Sequence, residues 1–152
     1  MEERVSFVSN GLKLAGVLHA PEGRSASGPA PAFLVLHGFG SNKDSGGSTA
    51  TARMLASFGY AALRFDMRGC GESDGTRGRV ICLEQVEDTR SALTFLQSHP
   101  AVHPDRIAVI GSSFGGAVSV YAGGVDQRIA AVISNGGWGD ERKIDEIMAF
   151  SE

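Results

Sequence analysis

Cysteine is nearly absent from this 152-residue chain, which carries only Cys70 and Cys82. Two cysteines cannot build a disulfide framework, and free thiols are the expectation for both. Charge of one sign is missing too: 14 Lys plus Arg stand against 17 Asp plus Glu, a formal net charge of −3. That balance leaves no electrostatic footprint for nucleic acid or an anionic membrane surface. No apolar run approaches the roughly 20 residues that a bilayer span needs. The first residues, MEERVSFVSN, lack the apolar stretch of a secretory signal. A soluble, cytoplasmic protein with no membrane span and no nucleic-acid partner is expected. There is no GxxxxGK[ST] loop, no GxGxxG after a strand-like run and no zinc-like spacing of Cys and His. No cofactor and no metal are therefore expected. Arg64, Arg68, Arg77 and Arg79 make a locally basic stretch, but Asp66, Glu72 and Asp74 interleave with it, which predicts a solvated, salt-bridged loop.

What is present is an ordinary globular balance, 42% hydrophobic and 20% charged, with 21 glycines as the one excess. The length suits a single domain. Two alternating runs within residues 4–20 flank Asn10-Gly11, the strongest short hairpin signal. After the Pro/Gly/Ser loop at 21–31 the pattern changes. Apolar runs at 32–37, 61–66, 106–111 and 130–135 read as strands covered on both faces. Between them lie helical patterns over 49–58, over 80–97 with Leu83, Val86, Leu93 and Leu96 on one face, and over 114–124. Strands alternating with helices imply parallel pairing through right-handed crossovers. The predicted fold is α/β, a mostly parallel sheet with helices on both faces and an N-terminal antiparallel hairpin. A further amphipathic helix, with Ile144, Ile147 and Met148, is expected over 140–150.

A nucleophilic serine needs a sharp turn with close-packed backbone on either side, which G-x-S-x-G supplies. In a chain this rich in Gly and Ser about 0.3 matches arise by chance, and there are two, GESDG at 71–75 and GSSFG at 111–115. Context separates them. Gly111 directly follows the strand-like IAVI and Phe114 opens a helical pattern, whereas no helix begins at Ser73. Ser113 is thus the candidate nucleophile. An oxyanion needs two backbone N–H donors, one from the residue after the nucleophile and one from an earlier strand exit. Phe114 and Phe39, in His37-Gly38-Phe39-Gly40, occupy those places.

The ordered motifs LVLHGFG, LRFDMRGCGESDG and HPDRIAVIGSSFGG resemble the α/β-hydrolase superfamily, in its branch of soluble esterases, acylglycerol lipases and serine aminopeptidases. The resemblance runs from about residue 5 to 135. It implies an oxyanion N–H from Phe39, a structural turn from Asp66 to Ser73, and the nucleophile at Ser113. It also implies a small-molecule ester or acyl substrate cleaved through an acyl-enzyme.

One departure is as informative as the match. In that family the triad runs Ser, then Asp or Glu, then His, yet His19, His37, His99 and His103 all precede Ser113. Asp140 reads either as the N-cap of the 140–150 helix or as the acid that some members carry after this strand. The chain is expected to be a partial hydrolase domain with its acid and histidine beyond residue 152, inactive alone. Its apolar strand at 130–135 is expected to be a bare edge capable of self-association. The alternative is a non-catalytic binding module that retains the elbow.

Overall fold

The uninterrupted apolar runs form the middle of a six-stranded sheet. The computed structural model describes residues 1–23 and 28–137. Its strands are β1 (Glu2–Ser9), β2 (Leu12–His19), β3 (Ala30–Leu36), β4 (Ala61–Phe65), β5 (Val102–Ser112) and β6 (Ile129–Asn135). Its helices are α1 (Gly46–Ser57), α2 (Cys82–Ser98) and α3 (Phe114–Val125). The strand order is β1-β2-β4-β3-β5-β6. Asn10 and Gly11, both at positive φ, turn β1 antiparallel onto β2. β2 joins β4 antiparallel, and β4, β3, β5 and β6 are mutually parallel.

Alternate residues of β3 face opposite ways. Leu34 and Leu36 join the larger core beneath α2 and α3, with Phe65, Leu93, Leu96, Val109 and Val118. Phe33 and Val35 join a smaller one with Ala52 and Leu55 of α1. The helices therefore lie on both faces. Because the chain leaves β3 in one direction and β5 in the other, a crevice opens between their carboxyl ends, where ligands of open α/β sheets bind.

Each predicted element that falls within the described residues is found there, with three changes. Helix α1 begins three residues before Thr49, since the Ser45 hydroxyl accepts from the Ser48 N–H at 3.2 Å and caps it. Strand β5 begins at Val102 rather than 106, and a register shift against β3 absorbs Pro104, which cannot donate to a ladder. Leu83 is 56% exposed and not part of the core. The inward stripe of α2 instead carries Gln85, Asp88 and Thr89 beside Val86, Leu93 and Leu96. The helix expected over 140–150, with Asp140, lies outside the described residues.

Candidate active site

Ser113 sits between β5 and α3 at φ +54° and ψ −119°. Asn10 is the other non-glycine at positive φ among the described residues, and it serves the hairpin turn. A serine held in that region costs about 1–3 kcal/mol, which the surroundings must impose. They do so through glycine. A Cβ at Gly111 would collide with the Gly115 carbonyl, and one at Gly115 would lie 2.5 Å from the carbonyl oxygens of both Leu36 and His37. The strand, the turn and the helix thus approach more closely than any side chain permits. The Ser113 N–H donates to the Asn135 carbonyl at 2.9 Å, tying the turn to the end of β6. Its side chain is exposed at the carboxyl end of β5.

The loop after β3 faces this turn. Gly38 approaches Ser112 and Ser113 closely enough that an added Cβ would meet the Ser112 carbonyl at 3.5 Å. The Phe39 ring is 59% exposed and meets the buried Phe114 ring edge-on, centroids 6.0 Å apart. A cleft of about 200 Å³ lies alongside, lined by Val35, Ile110, Thr51, Ser112 and Ser113 among others. So the structure brings Phe39, Ser113 and Phe114 to one end of the sheet, at the mouth between β3 and β5. Phe114 also opens α3, whose N-terminal amides carry partial positive charge.

Ser73, in the other G-x-S-x-G match, is elsewhere and engaged. Its buried hydroxyl donates to the Asp66 carbonyl at 2.6 Å and accepts from the Ala15 N–H at 2.9 Å. It locks the turn after β4 to β2.

The four histidines lie as follows. His37 is buried; Nδ1–H donates to the Gly38 carbonyl at 2.9 Å and Nε2 accepts the Met67 N–H at 3.1 Å. That pairing holds the ring neutral, and burial pulls its pKa below the ordinary value against the Gly38 bond and the Asp66 charge. With both ring nitrogens engaged, His37 is a strand-end anchor. His19 pairs with Ala62 at the amino end of β4, and its Nε2 accepts from Arg64 Nε at 2.9 Å. Burial first, then the neighbouring Arg64 charge, lowers its pKa as well. His99 caps the end of α2 and His103 lies at the start of β5, at the strand end opposite Ser113.

The basic stretch divides: Arg77 and Arg79 are exposed, and Arg79 bridges Glu84 at 3.0 Å, as expected of a solvated, salt-bridged loop, but Arg64 and Arg68 are not solvated. Arg64 is buried and donates to the Lys43 carbonyl at 2.9 Å and to Asp44 at 2.7 Å. Arg68 grips the fully buried Asp88 of α2, which also accepts from the Ser9 hydroxyl at 2.8 Å. Lys43 is 1% exposed; its ammonium reaches Asp44 at 2.8 Å, Asp66 at 3.0 Å and Glu72 at 3.3 Å. Burial alone would depress the Lys43 pKa, but the bonds to Asp44 and Asp66 outweigh it and raise the value. Sequence reasoning missed Lys43 and Asp88. Hydrophobic periodicity treats a charge as surface, and no spacing rule says otherwise. Among the described residues no cluster of three or more His, Cys, Asp or Glu could hold a metal, and no helix is long and apolar enough to cross a membrane.

Comparison with known proteins agrees with this fold. The sequence profile of the family described as "Serine aminopeptidase, S33" matches residues 27–149. The chain is 34% identical over 131 residues to the quorum-quenching protein AidA of Acinetobacter baumannii, covering 86% of this chain and 42% of that protein. It is 37% identical over 132 residues to the thiohydrolase aneE of Aspergillus aculeatus, covering 86% and 40% respectively. The crystal structure of the α/β hydrolase GrgF from Penicillium superimposes with a TM-score of 0.83 at 29% identity, over 99% of this chain and 52% of that one. Est1E from Butyrivibrio proteoclasticus, solved with ferulic acid bound, gives 0.77 at 25% identity, over 86% and 51%. The chain thus spans about two fifths of these curated relatives and about half of these solved ones.

Proposed function

Because the chain belongs to the serine aminopeptidase S33 family of α/β hydrolases, we propose that it carries the nucleophile half of a serine hydrolase acting on carboxylic esters or related acyl compounds. Ser113 attacks the carbonyl carbon, and the Phe39 and Phe114 N–H groups stabilise the oxyanion. The Ser113 proton passes by way of the base to the leaving oxygen or sulfur, which departs as an alcohol or thiol, and water then cleaves the acyl–Ser113 ester to a carboxylic acid and restores the serine hydroxyl. The observation that carries the reading is the positive-φ Ser113 facing the Phe39 loop at the switch point between β3 and β5. The relatives' names, a thiohydrolase among them, favour acyl esters or thioesters as the substrate class.

In this reading the base and acid that activate Ser113 come from residues other than the four histidines, whose positions do not serve it. The same observation favours a second reading for these 152 residues alone, a binding module that keeps the elbow. Residues 1–152 are therefore expected to hydrolyse p-nitrophenyl acetate at or near background, since a hydroxyl without a base is a weak nucleophile. We further place self-association at β6, and a cytoplasmic location fits a domain of this composition. The decisive experiment labels the full-length gene product with a fluorophosphonate. Ser113→Ala should abolish labelling and ester hydrolysis, while Ser73→Ala should keep labelling. The reverse pattern overturns the assignment.

A further inference from the structure

The loop that presents Phe39 makes few hydrogen bonds within itself. It contains Gly38 and Gly40, the latter at φ +65° with open space around it, and its internal support at the tip is one turn, from the Ser41 N–H to the Gly38 carbonyl at 3.2 Å. Its position comes from outside. At one end His37 is bound to Met67. At the other, the Lys43 N–H donates to Asp66 Oδ1 at 2.6 Å, the Lys43 ammonium to Asp66 Oδ2 at 3.0 Å, and the Lys43 carbonyl accepts from Arg64 at 2.9 Å. Asp66 is fully buried and also accepts the Glu72 N–H at 2.9 Å. Both backbone groups of Lys43 are thus held by Asp66 and Arg64 at the carboxyl end of β4, and its ammonium is shared among Asp66, Glu72 of the turn beyond and the neighbouring Asp44. Residues 38–42 lie between the two anchors, where the Gly38 carbonyl accepts from His37, the Phe39 ring meets Phe114 and Asn42 Oδ1 accepts the Asp44 N–H at 2.8 Å.

A buried ion pair is weak evidence for stability, because an apolar pair of similar volume often serves as well. What an apolar pair cannot do is fix a backbone N–H and an ammonium on the two oxygens of one carboxylate. We propose that Lys43 and Asp66 are positioning residues of the acyl-transfer reaction: they set where the Phe39 N–H points without touching substrate. The inference rests on the hydrolase reading above. A displacement of about 1 Å in such a group costs on the order of 10²-fold in rate.

The test replaces Lys43 and separates catalysis from stability. In the full-length gene product, Lys43→Met should lower kcat for p-nitrophenyl esters about 10- to 100-fold while KM stays within about threefold. In residues 1–152, which need no turnover for this arm, amide hydrogens of 38–42 should exchange at least about tenfold faster, with those of β3 and β5 unchanged. Lys43→Gln, which keeps a donor toward Asp66, should fall between wild type and Lys43→Met on both readouts; it takes over the test if Lys43→Met does not fold. Wild-type kcat with wild-type exchange overturns the proposal, as does a uniform rise in exchange across all strands. Absence of Ser113-dependent turnover in the unaltered protein would instead sink the hydrolase reading, and the exchange arm would still decide the anchoring.

Discussion

At the scale of single residues, this chain turns on glycines and buried polar groups rather than on its apolar core. Gly115 is the clearest case. Its missing side chain lets the first turn of α3 lie against the carbonyls of Leu36 and His37, and backbone cannot retreat as a flexible side chain can. Gly115→Ala is expected to lower stability by about 1–3 kcal/mol, the usual cost of overpacking, and to disturb Ser113 with it. Urea denaturation checks the first expectation. An unchanged midpoint would mean that the turn relaxes without cost. Ser73 offers a contrast, since its hydroxyl bridges β4 and β2 inside the protein. Ser73→Ala leaves the Ala15 N–H without that acceptor and should cost about 1–3 kcal/mol, yet leave fluorophosphonate labelling in place. Two matches to one motif thus differ in their surroundings: Ser73 is buried and bonded, and Ser113 is exposed on a turn.

At the scale of elements, the joint between α2, α3 and β6 depends on Asp126 at the end of α3. Its carboxylate takes Arg128 at 2.7 Å and Arg90 of α2 at 3.2 Å. Those bonds, the Arg128 guanidinium foremost, pull its pKa down to about 2 from an ordinary 3.8, against the opposing effect of burial. A carboxylate with a depressed folded-state pKa contributes stability that is present above its unfolded value and lost as pH falls through the folded one. Asp126→Asn should therefore cost about 1–2 kcal/mol at pH 7, the guanidiniums being partly in solvent. The difference from wild type should shrink between about pH 4 and pH 2. Thermal denaturation of both proteins across that range checks the sign. A difference that persists unchanged at pH 2 would show that packing, not charge, explains the loss.

At the scale of the whole molecule, the described residues leave both outer strands of the sheet, β1 and β6, paired on one side alone. Among the described residues β6 pairs with β5 alone, and Val132 and Ile133 are 37% and 45% exposed. Val120, Tyr121 and Val125 of α3 are exposed near it. An apolar strand with an unpaired edge is a template for another strand. Residues 1–152 are expected to elute above the 15.9 kDa of one chain in size-exclusion with light scattering. Ile133→Lys, which places a charge on the edge, should reduce the association. A sharp monomer peak with a cooperative thermal transition would refute it.

The alternating runs around Asn10-Gly11, the four apolar runs and the strand–turn–helix at GSSFG were enough to determine the mostly parallel sheet and its helices, and to place Ser113, unlike Ser73, on a strand-to-helix turn. They work because strand periodicity, turn chemistry and the glycine requirement at an elbow are local, written within a few residues of one another. The destination of the charges was not local. Whether Asp66, Lys43, Arg64 and Asp88 would face water depended on partners between 20 and 79 positions away. Only the folded chain brings those partners near enough to offset desolvation. Leu83 and Asp88 changed places for the same reason: the face that α2 buries is set by what β1, β5 and α3 present to it. The tautomer of His37 belongs here too, because a backbone N–H thirty residues ahead occupies its Nε2 and removes it as a base.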